Sequence, residues 1–140
     1  MMVRQTAVGP ARVQLQNKNP AGWKNFAERL AGHSSIGMAH TMRGVQAKRP
    51  SYGEDAARIG ACTVPALLMI GDEDKPGLDA TLHLKRITPM AGLVSFPNSG
   101  HAINLEETET FNRLLGDFLA AVEGGTWPTR DARAQFTSAI

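Results

Sequence analysis

Val64-Pro65-Ala66-Leu67-Leu68-Met69-Ile70-Gly71-Asp72-Glu73-Asp74 is the stretch on which the fold turns. From Val64 to Ile70 the run is apolar without alternation, the pattern of a strand buried on both faces. Pro65 suits the start of such a strand, where its missing N–H matters least. Gly71 closes the run, and Gly71 to Gly77 reads as a loop dense in carboxylates.

Downstream, Asp79 is placed to cap a helix running to about Arg86. Pro89 and Gly92 end that helix, and Leu93-Val94-Ser95-Phe96 forms a second short strand. Asn98-Ser99-Gly100-His101 follows as a turn of small residues carrying one histidine. Phe111, Leu114, Leu115, Phe118, Leu119 and Val122 then recur at helical spacing, a stripe for core packing that Gly124-Gly125 ends. Strand, helix, strand is a βαβ crossover, which makes the strands parallel. Parallel neighbours lie about 4.8 Å apart and open their C-terminal ends on one edge, where open α/β sheets bind ligands. Asp74 and His101 both fall in loops on that edge. A carboxylate beside an imidazole holds its tautomer and stabilises the imidazolium, so the two form a candidate acid–base pair. Spacing alone leaves Asp72 and Glu73 as rivals of Asp74, and leaves His101 open to a plain hydrogen-bonding role in its turn.

Upstream the pattern is helical. Residues 1–18 are polar with no clear period and read as a tail. Asn19-Pro20 is a helix start, with Asn as N-cap and Pro at the first helical position. Trp23, Phe26, Ala27, Leu30 and Ala31 supply one apolar face, and Gly32 ends it. A weaker helix spans Ser35 to about Gln46, broken by Arg49-Pro50-Ser51. Trp23 and Phe26 fit helix packing better than a pocket wall, and Arg43 and Arg49 read as surface charges, with contact to an acidic substrate group as the lesser alternative. The expected organisation is a tail over 1–18, a helical segment over 19–62, a βαβα lobe over 63–125 and a second tail over 126–140.

Composition narrows the functional classes. The chain has 140 residues, 42% of them apolar, enough for one domain with a core. A net charge of +2 without a basic run argues against nucleic acid as a partner, and 6% aromatics against a base-stacking platform. One cysteine, Cys62, excludes an internal disulfide and a cysteine-rich zinc site, and fits a reducing compartment. His33, His40 and His83 have no partners at metal-ligand spacing. Met1 to Thr6 lacks the apolar core of a secretory signal, and no stretch approaches the roughly 20 apolar residues of a membrane span. The expectation is a cytoplasmic protein without membrane contact, cofactor or metal.

These residues resemble a known family. Val64 to Asp74 with its Gly-x-x-Asp loop, then Ser99-Gly100-His101 and the Glu106-Glu107 helix start, are similar to the C-terminal half of an α/β-hydrolase. The upstream helices, with His33-Ser34-Ser35 and Arg43-Gly44-Val45-Gln46 through Arg49-Pro50-Ser51, resemble the cap that such enzymes insert between the halves of the sheet. The resemblance spans roughly residues 18 to 131. It implies an α/β fold with part of a parallel sheet, Asp74 as triad acid, His101 as general base, and Glu106 as the acidic residue that often opens the last helix. Thr108 stands where the family often has proline. The implied chemistry is hydrolysis of a small-molecule ester or lactone through an acyl-enzyme.

One element of the family pattern does not appear. Its triad runs Ser, Asp or Glu, His, with the serine on a G-x-S-x-G turn between strand and helix. The nearest approach, His33-Ser34-Ser35-Ile36-Gly37, has histidine for the first glycine and no apolar strand before it. Cys62 precedes the first strand, about 20 Å from the Asp74 edge at roughly 3.3 Å per residue. The expectation is therefore a partial triad, inactive alone. The alternative is a non-catalytic interaction module, or a truncated fragment, that pairs with another copy through its exposed sheet edge.

Overall fold

In a computed structural model of the chain, which describes residues 8–135, a 3-10 turn (Pro10–Arg12) opens into four helices. These are α1 (Val13–Lys18), α2 (Pro20–Ala31), α3 (Ser35–Thr41), continued by a π-helical turn over Met42–Gln46, and α4 (Ala56–Gly60). Then come β1 (Ala66–Gly71), α5 (Lys75–Ile87), β2 (Ala91–Phe96), the short α6 (Ile103–Glu106), α7 (Thr108–Glu123) and a 3-10 turn (Ala132–Gln135). The strands pair in parallel, from Ala66 opposite Ala91 to Gly71 opposite Phe96, with α5 as the crossover. This is the expected βαβ unit.

Burial along β1 is uneven. Ile70 and Gly71 are buried, whereas Ala66 to Met69 are half-buried. The sheet has two strands among the described residues, so the outer edge of each carries no strand partner. The expected burial on both faces is thus reached only at the C-terminal end of β1, where the loop after β2 closes against it. A Cβ on Gly71 would lie 2.2 Å from the carbonyl oxygens of both Ser99 and Gly100. Only glycine allows two backbones to approach so closely.

Both expected tails depart from expectation. Within 1–18, residues 1–7 lie outside the described residues, but α1 is a helix that packs on α2 and α6. Its single large apolar side chain that is buried, Leu15, is wholly so. One apolar anchor in so short a helix leaves no periodicity to read; tertiary contact holds it. At the other end Trp127 stacks edge-on against Phe118, centroids 4.7 Å apart, and its indole N–H donates to Met90 O at 2.8 Å. Its ring lies over Gly92, where a Cβ would come within 2.7 Å of it. That close cover explains why β2 runs through a glycine. The Arg130 guanidinium then donates to Lys85 O and Arg86 O at 2.9 and 2.8 Å, placing a cation at the C-terminus of α5.

The helix starts follow local chemistry. Asn19 Oδ1 accepts from Gly22 N at 2.8 Å, and Pro20 holds the first helical position, as the sequence predicts. Asn19 Nδ2 also donates to Leu105 O at 3.1 Å, tying α2 to the segment after His101. Gly125, with φ +66°, ends α7 in the left-handed conformation glycine tolerates. Among the described residues no helix is long and apolar enough to cross a membrane.

The contact at Gly71 generates a stability prediction. Gly71→Ala forces apart two backbones and lowers unfolding free energy by about 3 kcal/mol, the upper range of overpacking costs, in urea denaturation. Gly116→Ala, inside α7 with open space at the Cβ, is neutral or gains up to about 1 kcal/mol in the same measurement.

Candidate active site

The end of β1 is laced to the loop after β2 by successive amides. Asp72 N donates to Phe96 O at 3.0 Å, Glu73 N to Ser99 O at 2.9 Å, and Asp74 N back to Gly71 O at 3.1 Å. Asp72 returns the tie, its Oδ1 accepting from Ser99 N at 3.1 Å. These bonds set where Asp74 stands. Its carbonyl accepts from Gly77 N and Leu78 N, both at 2.9 Å, and so starts α5. The helix therefore begins at Lys75, not at Asp79, with Pro76 in its first turn.

An aspartate in the N-cap position ordinarily turns its side chain onto the helix amides. Asp74 makes no such bond. Its Oδ2 instead lies 2.6 Å from His101 Nδ1. The carboxylate is 3% exposed at residue level, whereas the His101 side chain is 57% exposed. Gly77 makes this possible, since a Cβ there would stand 2.6 Å from Asp74 Oδ2. The rivals are engaged elsewhere: Asp72 with Ser99 N, and Glu73 with the Gln14 amide at 2.8 Å.

The histidine is braced from beneath. Asn98 takes φ 51°, a left-handed turn that asparagine tolerates. Buried Glu106 accepts from Gly100 N at 2.6 Å through Oε2 and from Ala102 N at 3.1 Å through Oε1, the amides on either side of His101. His101 N donates to Ala11 O at 3.0 Å. All three amides of this turn are satisfied. Glu106 thus departs from the position the resemblance gave it: it ends α6, and the last helix begins at Thr108. There the Thr108 hydroxyl donates to Asn104 O at 2.8 Å. Lys18 supports the outer side, donating to Ser99 Oγ at 3.1 Å and pairing with Glu107 at 2.5 Å.

With the carboxylate as acceptor, Nδ1 carries the proton and Nε2 is the basic nitrogen. That is the tautomer a general base needs, with a buried anion to stabilise the imidazolium it becomes. Beside the pair runs a groove of about 540 Å³, walled by Pro10, Arg12, Arg49, Tyr52, Pro76 and Ala80 among others. Arg12 lies 5.1 Å over the Phe26 ring, and burial lowers its pKa against the opposing pull of Asp74 and Glu106. Among the described residues lining this groove there is no serine, threonine or cysteine. Ser35 is in the first turn of α3, and Cys62 is an exposed thiol. His33, His40 and His83 do not line it, and no three metal-ligating side chains gather among the described residues. A second groove of similar volume, beside α3, is walled by residues such as His33, Met38 and Met42 and contains no carboxylate.

Arg12 and Tyr52 are groove residues that sequence reasoning missed; Arg49 is exposed, as the sequence suggests, and also lines the groove. Arg12 precedes the helical segment, and Tyr52 lies in a break between its helices. Nothing in their spacing points toward Asp74.

Glu106→Gln tests the brace. The amide offers one oxygen to two buried N–H groups and turns its own N–H₂ toward one of them. A loss of about 1–3 kcal/mol in unfolding free energy is expected in denaturant titrations.

No family model matches the sequence. It is 23% identical over 91 residues to a Bacillus subtilis (strain 168) protein named "Putative 2-succinyl-6-hydroxy-2,4-cyclohexadiene-1-carboxylate synthase", covering 64% of this chain and 32% of that protein. It is 39% identical over 71 residues to a Pseudomonas putida protein named "2-hydroxy-6-oxononadienedioate/2-hydroxy-6-oxononatrienedioate hydrolase 2", covering 50% of this chain and 24% of that protein. The fold is similar to the solved structure of MenH from S. aureus, with a TM-score of 0.76 and 18% identity over 84% of this chain and 44% of that one. The matched regions span about a third or less of the two curated relatives. The chain is an α/β protein that matches part of an α/β-hydrolase fold, and its relatives point to the α/β-hydrolase superfamily.

Proposed function

We propose that this chain carries the base and the acid of a Ser-His-Asp hydrolase site acting on ester- or lactone-type bonds of a small molecule. The observation that carries the reading is the 2.6 Å bond from His101 Nδ1 to the buried Asp74 carboxylate. His101 Nε2 takes the proton of an attacking hydroxyl, and Asp74 stabilises the imidazolium that results. The proton then passes to the leaving group, and water releases the acyl group by the same exchange. A hydrolase among the relatives supports this chemistry. No organic cofactor or metal enters it.

The hydroxyl is the part this reading assigns elsewhere. The groove beside His101 offers no serine, threonine or cysteine among the described residues, so on this reading the acid and the base are the two triad members found among them. Purified chain assayed with p-nitrophenyl butyrate is expected to show no turnover above its His101→Ala variant; turnover abolished by that substitution sinks the inactivity claim. Where a longer reading frame supplies G-x-S-x-G upstream, its product is expected to hydrolyse the ester. Asp74→Asn in that product then lowers kcat by about 10⁴, the cost of losing the tautomer-setting acid. A cytoplasmic setting belongs to the same proposal, supported by the single, exposed Cys62.

A second reading rests on the sheet itself. Two strands whose outer edges carry no strand partner among the described residues can offer backbone donors and acceptors to a further strand. Under it the chain is an interaction module that forms a homo-oligomer. Light scattering on the purified chain is expected to give twice the monomer mass in that case; a monomer at high micromolar concentration removes it.

A further inference from the structure

We infer that the groove beside Asp74 and His101 binds a carboxylate of the substrate through Arg12 and Arg49. The inference rests on the acid–base reading of that pair and adds what the substrate must carry.

The charges in the groove are unbalanced. Asp74 lines it, but its carboxylate is committed to His101. Two guanidiniums, Arg12 and Arg49, line the same groove, and neither forms an ion pair among the described residues. Asp74 and Glu106 both attract Arg12 without reaching it, Asp74 bonding His101 and Glu106 spending both oxygens on the amides of the His101 turn.

Arg12 is also presented in a fixed posture. Its guanidinium is held over the Phe26 ring at 5.1 Å, and its backbone neighbour Ala11 is tied to His101 N. Its Nε is buried without a hydrogen-bond partner, and its NH1 reaches only Ala11 O at a long 3.4 Å. A buried donor left unpaired costs free energy, and a carboxylate is the anion whose two oxygens match a guanidinium fork. Tyr52 adds a hydroxyl donor to the same wall. Pro10, Pro76 and Ala80 supply apolar surface between. The groove therefore suits a short carbon chain with a carboxylate at one end and its scissile carbonyl toward His101.

The experiment is a titration of the ¹⁵N-labelled chain with glutarate and with its neutral dimethyl ester, at a constant ionic strength of about 0.15 M so that screening is equal. The expected result is a saturable shift of the Arg12 Nε–H resonance and the His101 amide with glutarate and none with the ester. Arg12→Gln and Arg49→Gln are each expected to weaken glutarate binding about tenfold. Equal shifts with both ligands, or no saturable shift, overturn the inference. So does unchanged affinity in Arg49→Gln, whose exposed side chain makes no hydrogen bond or ion pair among the described residues and whose variant is checked for folding by its amide spectrum. Binding is read without turnover, so an inactive longer product carrying G-x-S-x-G counts against the acid–base reading and not against this one.

Discussion

Parallel pairing of β1 with β2, in register from Ala66–Ala91 to Gly71–Phe96, brings two chain segments out of the sheet side by side. At that exit the backbones of Gly71 and Ser99–Gly100 come closer than any side chain would permit. The remaining geometry follows from this approach. Amides of Asp72, Glu73 and Ser99 cross between the two segments, and within a few residues the chain delivers Asp74 from one side and His101 from the other. A slip of the register would separate the pair as surely as a mutation in it.

Charge burial at this point is stabilised by hydrogen bonds to the buried carboxylates. Asp74 and Glu106 are both buried carboxylates, a placement that is tolerated only when their oxygens are satisfied. Asp74 forgoes the helix cap open to it and spends an oxygen on His101. Glu106 holds the amides on either side of that histidine. One carboxylate thus orients the ring and the other shapes the turn that carries it. The surrounding glycines, Gly71, Gly77 and Gly100, leave the space in which this occurs: a Cβ at each would meet backbone or carboxylate atoms within 2.7 Å. In that sense the site is built as much from missing side chains as from present ones.

Helices upstream of the sheet do more than cover it. Leu15 anchors α1, the Ala11 carbonyl receives the His101 amide, and Lys18 bonds Ser99 and Glu107. This segment is a third wall of the site, and it contributes Arg12 to the groove. At the far end of the sheet Trp127 covers Gly92 and Arg130 closes the last turn of α5. Strand and helix lengths alone therefore understate how much chain the βαβ unit recruits.

Several features were legible in the residues themselves. The uninterrupted apolar run from Val64 to Ile70, the second run before Phe96 and the helical stripe from Phe111 to Val122 set an α/β fold with parallel strands. The common exit edge placed Asp74 and His101 near one another. These rest on local periodicity and on the handedness of crossovers, which a sequence carries directly. Tertiary structure alone decided the rest: that Asp74 and not Asp72 or Glu73 meets the imidazole, that Glu106 braces the turn instead of opening the last helix, and that α1 and Trp127 pack where tails were expected. Apart from the Glu106 brace, which is local, these turn on contacts between residues distant in the chain, such as Asp74 with His101 or Trp127 with Met90. A lone anchor leaves no period, and so no trace in the sequence, until the fold brings its partner within reach.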